Sequence, residues 1–506
     1  MVSIEMNRVE GDLQLNLAFD GNRVSEAWTV GTMYRGFEQI LLGRAKTDGL
    51  VITPRICGIC GTGHLYAAVT ALETAMQCAV APNGTRVRNV CLLAEEIQSD
   101  IRHAFLMFCI DFCNERYRLV PGFDGIVEAF EPFKGQVYRE TIVQTKKILE
   151  IVALFGGQWP HSSYMVPGGV VSLPSRRTIA AALSIVDGFV RWYERSVLGC
   201  STERWLEVRS LSDLDTWLNE SPAHATSALG RFVQFARALH LEALGKGSGR
   251  MLSYGVYLDP DRWQPPFDNV SWARAAGFYD PDIGSIQTFS HLGVKEHVRH
   301  SYFRDYAGGK HPWDGVTVPD YKPGGDKYSW AKAPRYDDKV VEVGCVAELF
   351  MARDALVTSM VTELGTNVFT RQLARLHRPA LSLQLIRSVL VELEAHFDDG
   401  YCETPADVDE GRGHGLVHAA RGALGHWVTI KSGRIEGYQV VTPTAWNASP
   451  RDSSGTPGHW EQSLVGTEVA NVDDPIEIGH IVRSHDACLV CTVHHLETRK
   501  RWTFPV

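Results

Sequence analysis

The 506-residue chain is 44% apolar and 22% charged, which places it among ordinary globular proteins with enough length to bury a large core. A net charge of −9 leaves no basic stripe to neutralise phosphates, and the one basic run, Arg499-Lys500-Arg501, is too short to bind nucleic acid. No stretch reaches the roughly 18 uninterrupted apolar residues that a membrane-spanning helix needs. Residues 1–8 (MVSIEMNR) carry neither the basic start nor the apolar run of an export signal, so a cytoplasmic protein is expected, membrane-associated only through partners.

In chain order, Leu13, Leu15, Leu17 and Phe19 alternate, Gly21-Asn22 supplies a turn, and Val24, Ala27 and Trp28 follow, which predicts a β-hairpin. After Pro54 the apolar period becomes helical. A long buried helix is predicted from about Val87 to Phe112, with further helices near Glu140–Phe155, Arg177–Val197, Ser227–Gly245, Val341–Val357 and Gln372–Phe397. Between about 252 and 334 the chain turns rich in Gly, Pro, Asp and aromatics, an ordered strand-and-loop excursion because Trp and Tyr bury themselves when they can. A second hairpin is predicted after Trp427, turning at Ser432-Gly433. The expected fold is mainly α with small β additions (α+β), in one domain over 1–506. Its parts are a β-rich start (1–50), a helical part (51–250), the excursion (251–335), and a second helical part with the β patch (336–494).

Eleven cysteines in a chain of this kind point to thiols or metal ligands more than to disulfides. Seven are scattered (Cys78, Cys91, Cys109, Cys113, Cys200, Cys345, Cys402) and are expected as small buried hydrophobes. The other four form two Cys-x-x-Cys pairs, Cys57/Cys60 and Cys488/Cys491. Each pair sets two thiols where they reach one ion, and together they make an S₄ site for soft or borderline metals. A structural zinc site is the alternative. Structural zinc usually staples a short segment, whereas these pairs sit at opposite ends of a chain with its own large core. A functional centre joining the two ends is therefore favoured over zinc, and over a redox dithiol, which lacks a βαβ context here.

Arg55-Ile56-Cys57-Gly58-Ile59-Cys60 with His64, and Asp486-Ala487-Cys488-Leu489-Val490-Cys491 with His494, resemble the metal motifs of nickel–iron hydrogenase large subunits. Arg8-Val9-Glu10-Gly11, Tyr34-Arg35-Gly36-Phe37-Glu38, Ala419-Ala420-Arg421-Gly422-Ala423-Leu424 and Pro443-Thr444-Ala445-Trp446-Asn447 are similar to further motifs of that family, in family order from residue 8 to 494.

The resemblance implies a nickel–iron centre with CO and cyanide on iron. Cys57 and Cys488 would bind nickel terminally, and Cys60 and Cys491 would bridge the metals. Arg421 would stand over the open metal position, oriented by Asp486, and Thr444 would hydrogen-bond a cyanide. Cys488 would serve as base and Glu10 would receive its proton, while Glu38 and His494 would hold magnesium. Ala420 and Ala487 stand where the family usually has proline. Ser99 takes its usual aspartate position, with Asp100 one residue off. Family large subunits are usually trimmed just past the motif histidine, which makes 495–506 (HLETRKRWTFPV) a possible cleavable extension.

The scattered cysteines lack ferredoxin-like spacing, so electrons must leave through an iron–sulfur small subunit and on to an acceptor such as a quinone or carrier protein. Residues 411–415 (GRGHG) follow no predicted strand and so do not make a phosphate loop. The sequence reading is thus an uptake hydrogenase, with a hydrogen-sensing relative as the alternative.

Overall fold

The computed structural model describes residues 2–9, 11–260 and 271–488. At the N-terminus, Val2–Met6, Leu13–Asp20 and Arg23–Gly31 form a three-stranded antiparallel meander. Leu13, Leu15 and Leu17 are buried on one face and pair with Gly31, Thr29 and Ala27, as period-two alternation demands. The outer strand, Val2–Met6, was not predicted; only Ile4 and Met6 turn inward, too few for a clear alternation.

Two helices, Gly61–Met76 and Pro82–His103, are buried on nearly every face. Gly61–Met76 is mostly apolar and small and so belongs inside, whereas Pro82–His103 buries charged side chains that are paired there, among them Arg88 with Glu73 and Glu96 with Arg274. The second starts on Pro82, whose missing N–H costs nothing in a first turn. It runs on into a wide turn, Ala104–Phe108, and a tight one, Cys109–Cys113, so the expected helix to Phe112 changes pitch after His103. Against it packs Val368–Ala395, whose cap Asn367 accepts the Thr370 N–H. The expected helix Val341–Val357 is instead two, Cys345–Met351 and Ala355–Leu364. Arg353 at φ 59° ends the first, and the Asp354 side chain caps the second through the Val357 N–H.

The excursion is built of strands. Met251–Leu258, Trp272–Asp280 and Ser285–Gln287 form one sheet, and Val294–His297 pairs with Ala333–Tyr336. Tyr254, Phe278, Trp330 and Tyr336 are buried there. Near the C-terminus, Gly411–Ala419, Gly422–Lys431 and Arg434–Val441 make a meander whose second turn is Ser432-Gly433. Its first strand contains the glycine-rich stretch, which is thus a strand itself and not a loop. A Cβ on Gly411, Gly413 or Gly415 would lie 2.7, 2.0 or 1.9 Å from the carbonyl oxygens of Ala75, Ala71 and Ala67. Two residues of strand and four of helix both advance about 6 Å. Glycines at every second position therefore let this strand lie on the backbone of Gly61–Met76.

Of the seven scattered cysteines, Cys78, Cys91, Cys109 and Cys345 are buried, and Cys113 and Cys200 are half-buried. Cys402 corrects the expectation, because it is exposed.

Candidate metal centre

Cys57 ends the tight turn Thr53–Ile56, and Cys60 stands at the start of helix Gly61–Met76. Cys488 follows the helix Ile476–Ser484 at the far end of the chain. The fold brings all three thiols into one buried pocket, their sulfurs within 4.8 Å of one another. Cys57 Sγ and Cys488 Sγ are 3.4 Å apart. Thiolates sharing an ion through bonds of about 2.3 Å sit at about this separation, so the donor set fits a bound soft metal. Cys491, Glu10, His494 and the segment 495–506 lie outside the described residues.

The helix that carries Cys60 is pinned at its open end. Glu95, on Pro82–His103, accepts the N–H groups of Thr62 and Gly63 at 3.0 and 3.1 Å. Burial pushes its carboxyl up to about 7, against those hydrogen bonds. His64, one turn along, shares a hydrogen bond of 3.0 Å with His426, which shares one of 2.8 Å with the Tyr438 hydroxyl. Burial lowers His64 to about 4, so the ring is neutral. Sequence reasoning did not find Glu95 or His426, because neither lies in a motif; both are recruited by helix and strand packing.

Arg421 sits in the two-residue turn that joins Gly411–Ala419 to Gly422–Lys431. Its Nε donates to Asp486 Oδ1 at 3.0 Å. Burial opposes its charge, but Asp486, Cys488, Cys60 and Cys57 outweigh that and hold its pKa well above the ordinary value. Asp486 is likewise pushed up by burial and brought below the usual range by Arg421, His103 and Arg375. Arg421 Nη1 and Asp486 Oδ2 are buried with no hydrogen-bond partner among the described residues. Buried donors left this way are rare and mark a place for a ligand. Thr444 Oγ1 accepts the Cys488 N–H at 2.9 Å, which fixes that cysteine and leaves a hydroxyl proton to donate.

Glu38 and Asp100 sit in surroundings of their own. Glu38 accepts the Val440 N–H at 2.9 Å and meets the Lys332 ammonium at 3.1 and 3.2 Å. It borders a cavity of about 70 Å³, together with Glu296, whose carboxyl burial pushes up to about 7. Asp100 is engaged by Arg378 at 2.6 and 2.8 Å, away from Arg421, and Ser99 Oγ is buried without a partner.

Converging buried thiolates beside an immobilised guanidinium with spare donors define a thiolate-held metal enzyme. The nickel-dependent hydrogenase family model matches residues 35–118 and 135–494. The periplasmic [NiFeSe] hydrogenase large subunit of Desulfomicrobium baculatum is 30% identical, over 98% of this chain and 96% of its own. The uptake hydrogenase large subunit of Rhodobacter capsulatus is 29% identical, over 97% and 94%. The crystal structure of the reduced, active Ni-Fe-Se hydrogenase from Desulfomicrobium baculatum superposes with a TM-score of 0.83 at 27% identity, covering 97% of this chain and all of that one. The chain belongs to the nickel-dependent hydrogenase large-subunit family, and it is an enzyme of that class.

Proposed function

We propose that the chain is the catalytic subunit of an uptake hydrogenase, with nickel and iron held by Cys57, Cys60, Cys488 and Cys491. The observation that carries this is the meeting of Cys57, Cys60 and Cys488 beside Arg421, whose Nη1 has no hydrogen-bond partner among the described residues. When bound, the centre supplies the two-electron site at which dihydrogen is split heterolytically. Arg421 Nη1 and the Thr444 hydroxyl would donate to cyanide on iron, and a fixed guanidinium needs no reorganisation as charge develops. Cys488 Sγ takes the proton and passes it to the Glu10 carboxylate. Asp486 holds Arg421 in plane through the 3.0 Å bond. Glu38 and His494 are the proposed ligands of magnesium, for which the Lys332 ammonium must give up part of its hold on Glu38.

Electrons leave through an iron–sulfur small subunit, as the large-subunit names of the relatives suggest, and on to a quinone or carrier protein. The seven scattered cysteines form no disulfide among the described residues, which suits the cytoplasm as the place of action. The test is metal analysis and infrared spectroscopy of the full chain purified with its partners. Nickel with CO and cyanide bands, and rapid dye reduction under H₂, support the proposal; zinc alone at the cysteines sinks it. The same bands with only very slow turnover would favour a hydrogen sensor, the role that residues 34–39 (YRGFEQ) also resemble.

A further inference from the structure

Apart from the cysteines, one further group of ligand-type side chains among the described residues converges closely enough to hold an ion. Glu342 precedes helix Cys345–Met351, its backbone tied to Arg250 and Leu252. His459 opens helix His459–Leu464, and His485 follows helix Ile476–Ser484. Glu342 is 2% exposed, His459 0% and His485 4%. One ligand atom from each lies within 4.8 Å of the other two. His459 Nε2 is 3.3 Å from Glu342 Oε2, and the two imidazole rings stand perpendicular with centroids 5.0 Å apart. Both nitrogens of both rings are buried with no hydrogen-bond partner among the described residues.

Each buried polar group left without a hydrogen bond costs about 1–3 kcal/mol. A histidine that only fills space normally satisfies at least one nitrogen. Two neighbouring rings whose nitrogens make no contact beyond the 3.3 Å approach of His459 to Glu342 have lone pairs to offer a shared ion. Gly247 makes room for the His459 ring, since a Cβ there would lie 2.3 Å from His459 Cε1.

We propose that Glu342, His459 and His485 form a second metal site, which takes a divalent first-row transition ion. Two imidazoles and one carboxylate suit Fe²⁺, Co²⁺, Ni²⁺ or Zn²⁺, which bind nitrogen well, over Mg²⁺ or Ca²⁺, which prefer all-oxygen shells. Burial, with Arg371 and His459 nearby, keeps His485 well below the ordinary range, so it is neutral and its lone pair is available. Arg371 donates to both oxygens of Glu342, with Nη2 at 3.0 Å. A carboxylate has about four lone-pair positions, so two remain for an ion, and the guanidinium orients the ligand as an outer-layer partner. Its positive charge further disfavours ions that the imidazoles do not bind strongly. Ligand bonds of about 2.0–2.2 Å require the rings to close by about an ångström. Because His485 adjoins Asp486, the ion would also brace the segment that orients Arg421 and leads into Cys488.

The site is independent of the chemistry at the cysteines, and position separates the two. Crystals of the full chain in its complex, as purified, are measured on either side of the iron, cobalt, nickel and zinc absorption edges. An anomalous peak between Glu342, His459 and His485 is expected, absent from H459A/H485F while the nickel peak at the cysteines persists. Should that double variant fail to fold, E342Q keeps the shape and should lower occupancy at least tenfold. Peaks at the cysteines with none at the histidine pair in the wild type overturn the proposal. A peak at the histidines with none at the cysteines upholds it and sinks the nickel–iron reading instead.

Discussion

Arg378 and Arg421 are both buried, and each meets a carboxylate, but their surroundings differ in completeness. Arg378 donates to Asp100 at 2.6 and 2.8 Å, to Glu348, and to the Ala420 carbonyl at 2.6 Å. Glu348 also takes Arg274, which binds Glu96 at 2.9 Å and Ser382 at 2.7 Å. No buried side-chain polar atom of these six residues is orphaned among the described residues, although the neighbouring His418, 3.4 Å from Glu348, has neither ring nitrogen hydrogen-bonded. Arg421 has Asp486 at 3.0 Å and keeps Nη1 unused, beside three thiols. A closed network spends its donors on the protein and locks helices Pro82–His103 and Val368–Ala395 together. An open one keeps donors for something that is not protein. Burial and charge are common to both, so it is the unfinished hydrogen bond that marks the chemical site.

That contrast can be broken most sharply at the open site. Cys488→Ser removes a soft donor and keeps the shape, so nickel content and H₂ oxidation should both fall below detection while the fold survives; retained nickel would show that the thiolate is not a ligand. Arg421→Lys keeps the charge and loses the planar fork. Turnover should drop on the order of 10²–10³-fold at normal nickel content, and a near-normal rate would remove Arg421 from the chemistry. The closed site should respond in the other currency. Arg378→Met strands Asp100 as a buried carboxyl and leaves Glu348 with Arg274 alone, so the denaturation midpoint should fall by the equivalent of about 3–5 kcal/mol while folded molecules keep their nickel. A stable variant would mean that the network carries no net stabilisation.

The least localised effect is acid sensitivity. Burial lowers His103 and His418 to about 3, and His64 and His480 to about 4, from an ordinary 6.5. Burial also lowers His291, His414, His426 and His485. Below pH 6.5 the unfolded chain takes up protons that these rings refuse when folded, so their contribution to stability is full above about 6.5 and is lost as pH falls toward 4. Glu95, Asp100 and Glu296 are pushed up by burial, bind protons in the folded state over the same range, and offset part of the loss. The urea midpoint should therefore fall from pH 7 to pH 5, by at most about 1.4 kcal/mol per pH unit for each uncompensated histidine. A midpoint that rises on acidification would mean the carboxyl groups dominate.

Much of this was legible before folding. The hairpin at Gly21-Asn22, the hairpin at Ser432-Gly433 and the long central helices follow from local alternation and helical period, because each rule acts within about ten residues. The break at Arg353 was not, because apolar residues on both sides continue one pattern through it. Nor was the strand at Gly411–Ala419, since glycine weakens a strand locally and only the facing helix makes it the residue that fits.

The sequence by itself determined the ligand chemistry. Two Cys-x-x-Cys pairs, an arginine among small residues and an aspartate before the second pair fix which atoms are soft donors, cations and orienting groups. Tertiary structure alone decided which of them meet. Cys57 and Cys488 are 431 positions apart in sequence and 3.4 Å apart in space, and Glu342, His459 and His485 come from three separate segments with no motif between them. Spacing rules describe what one helix or strand can present, whereas a site between elements exists only once packing has chosen their neighbours.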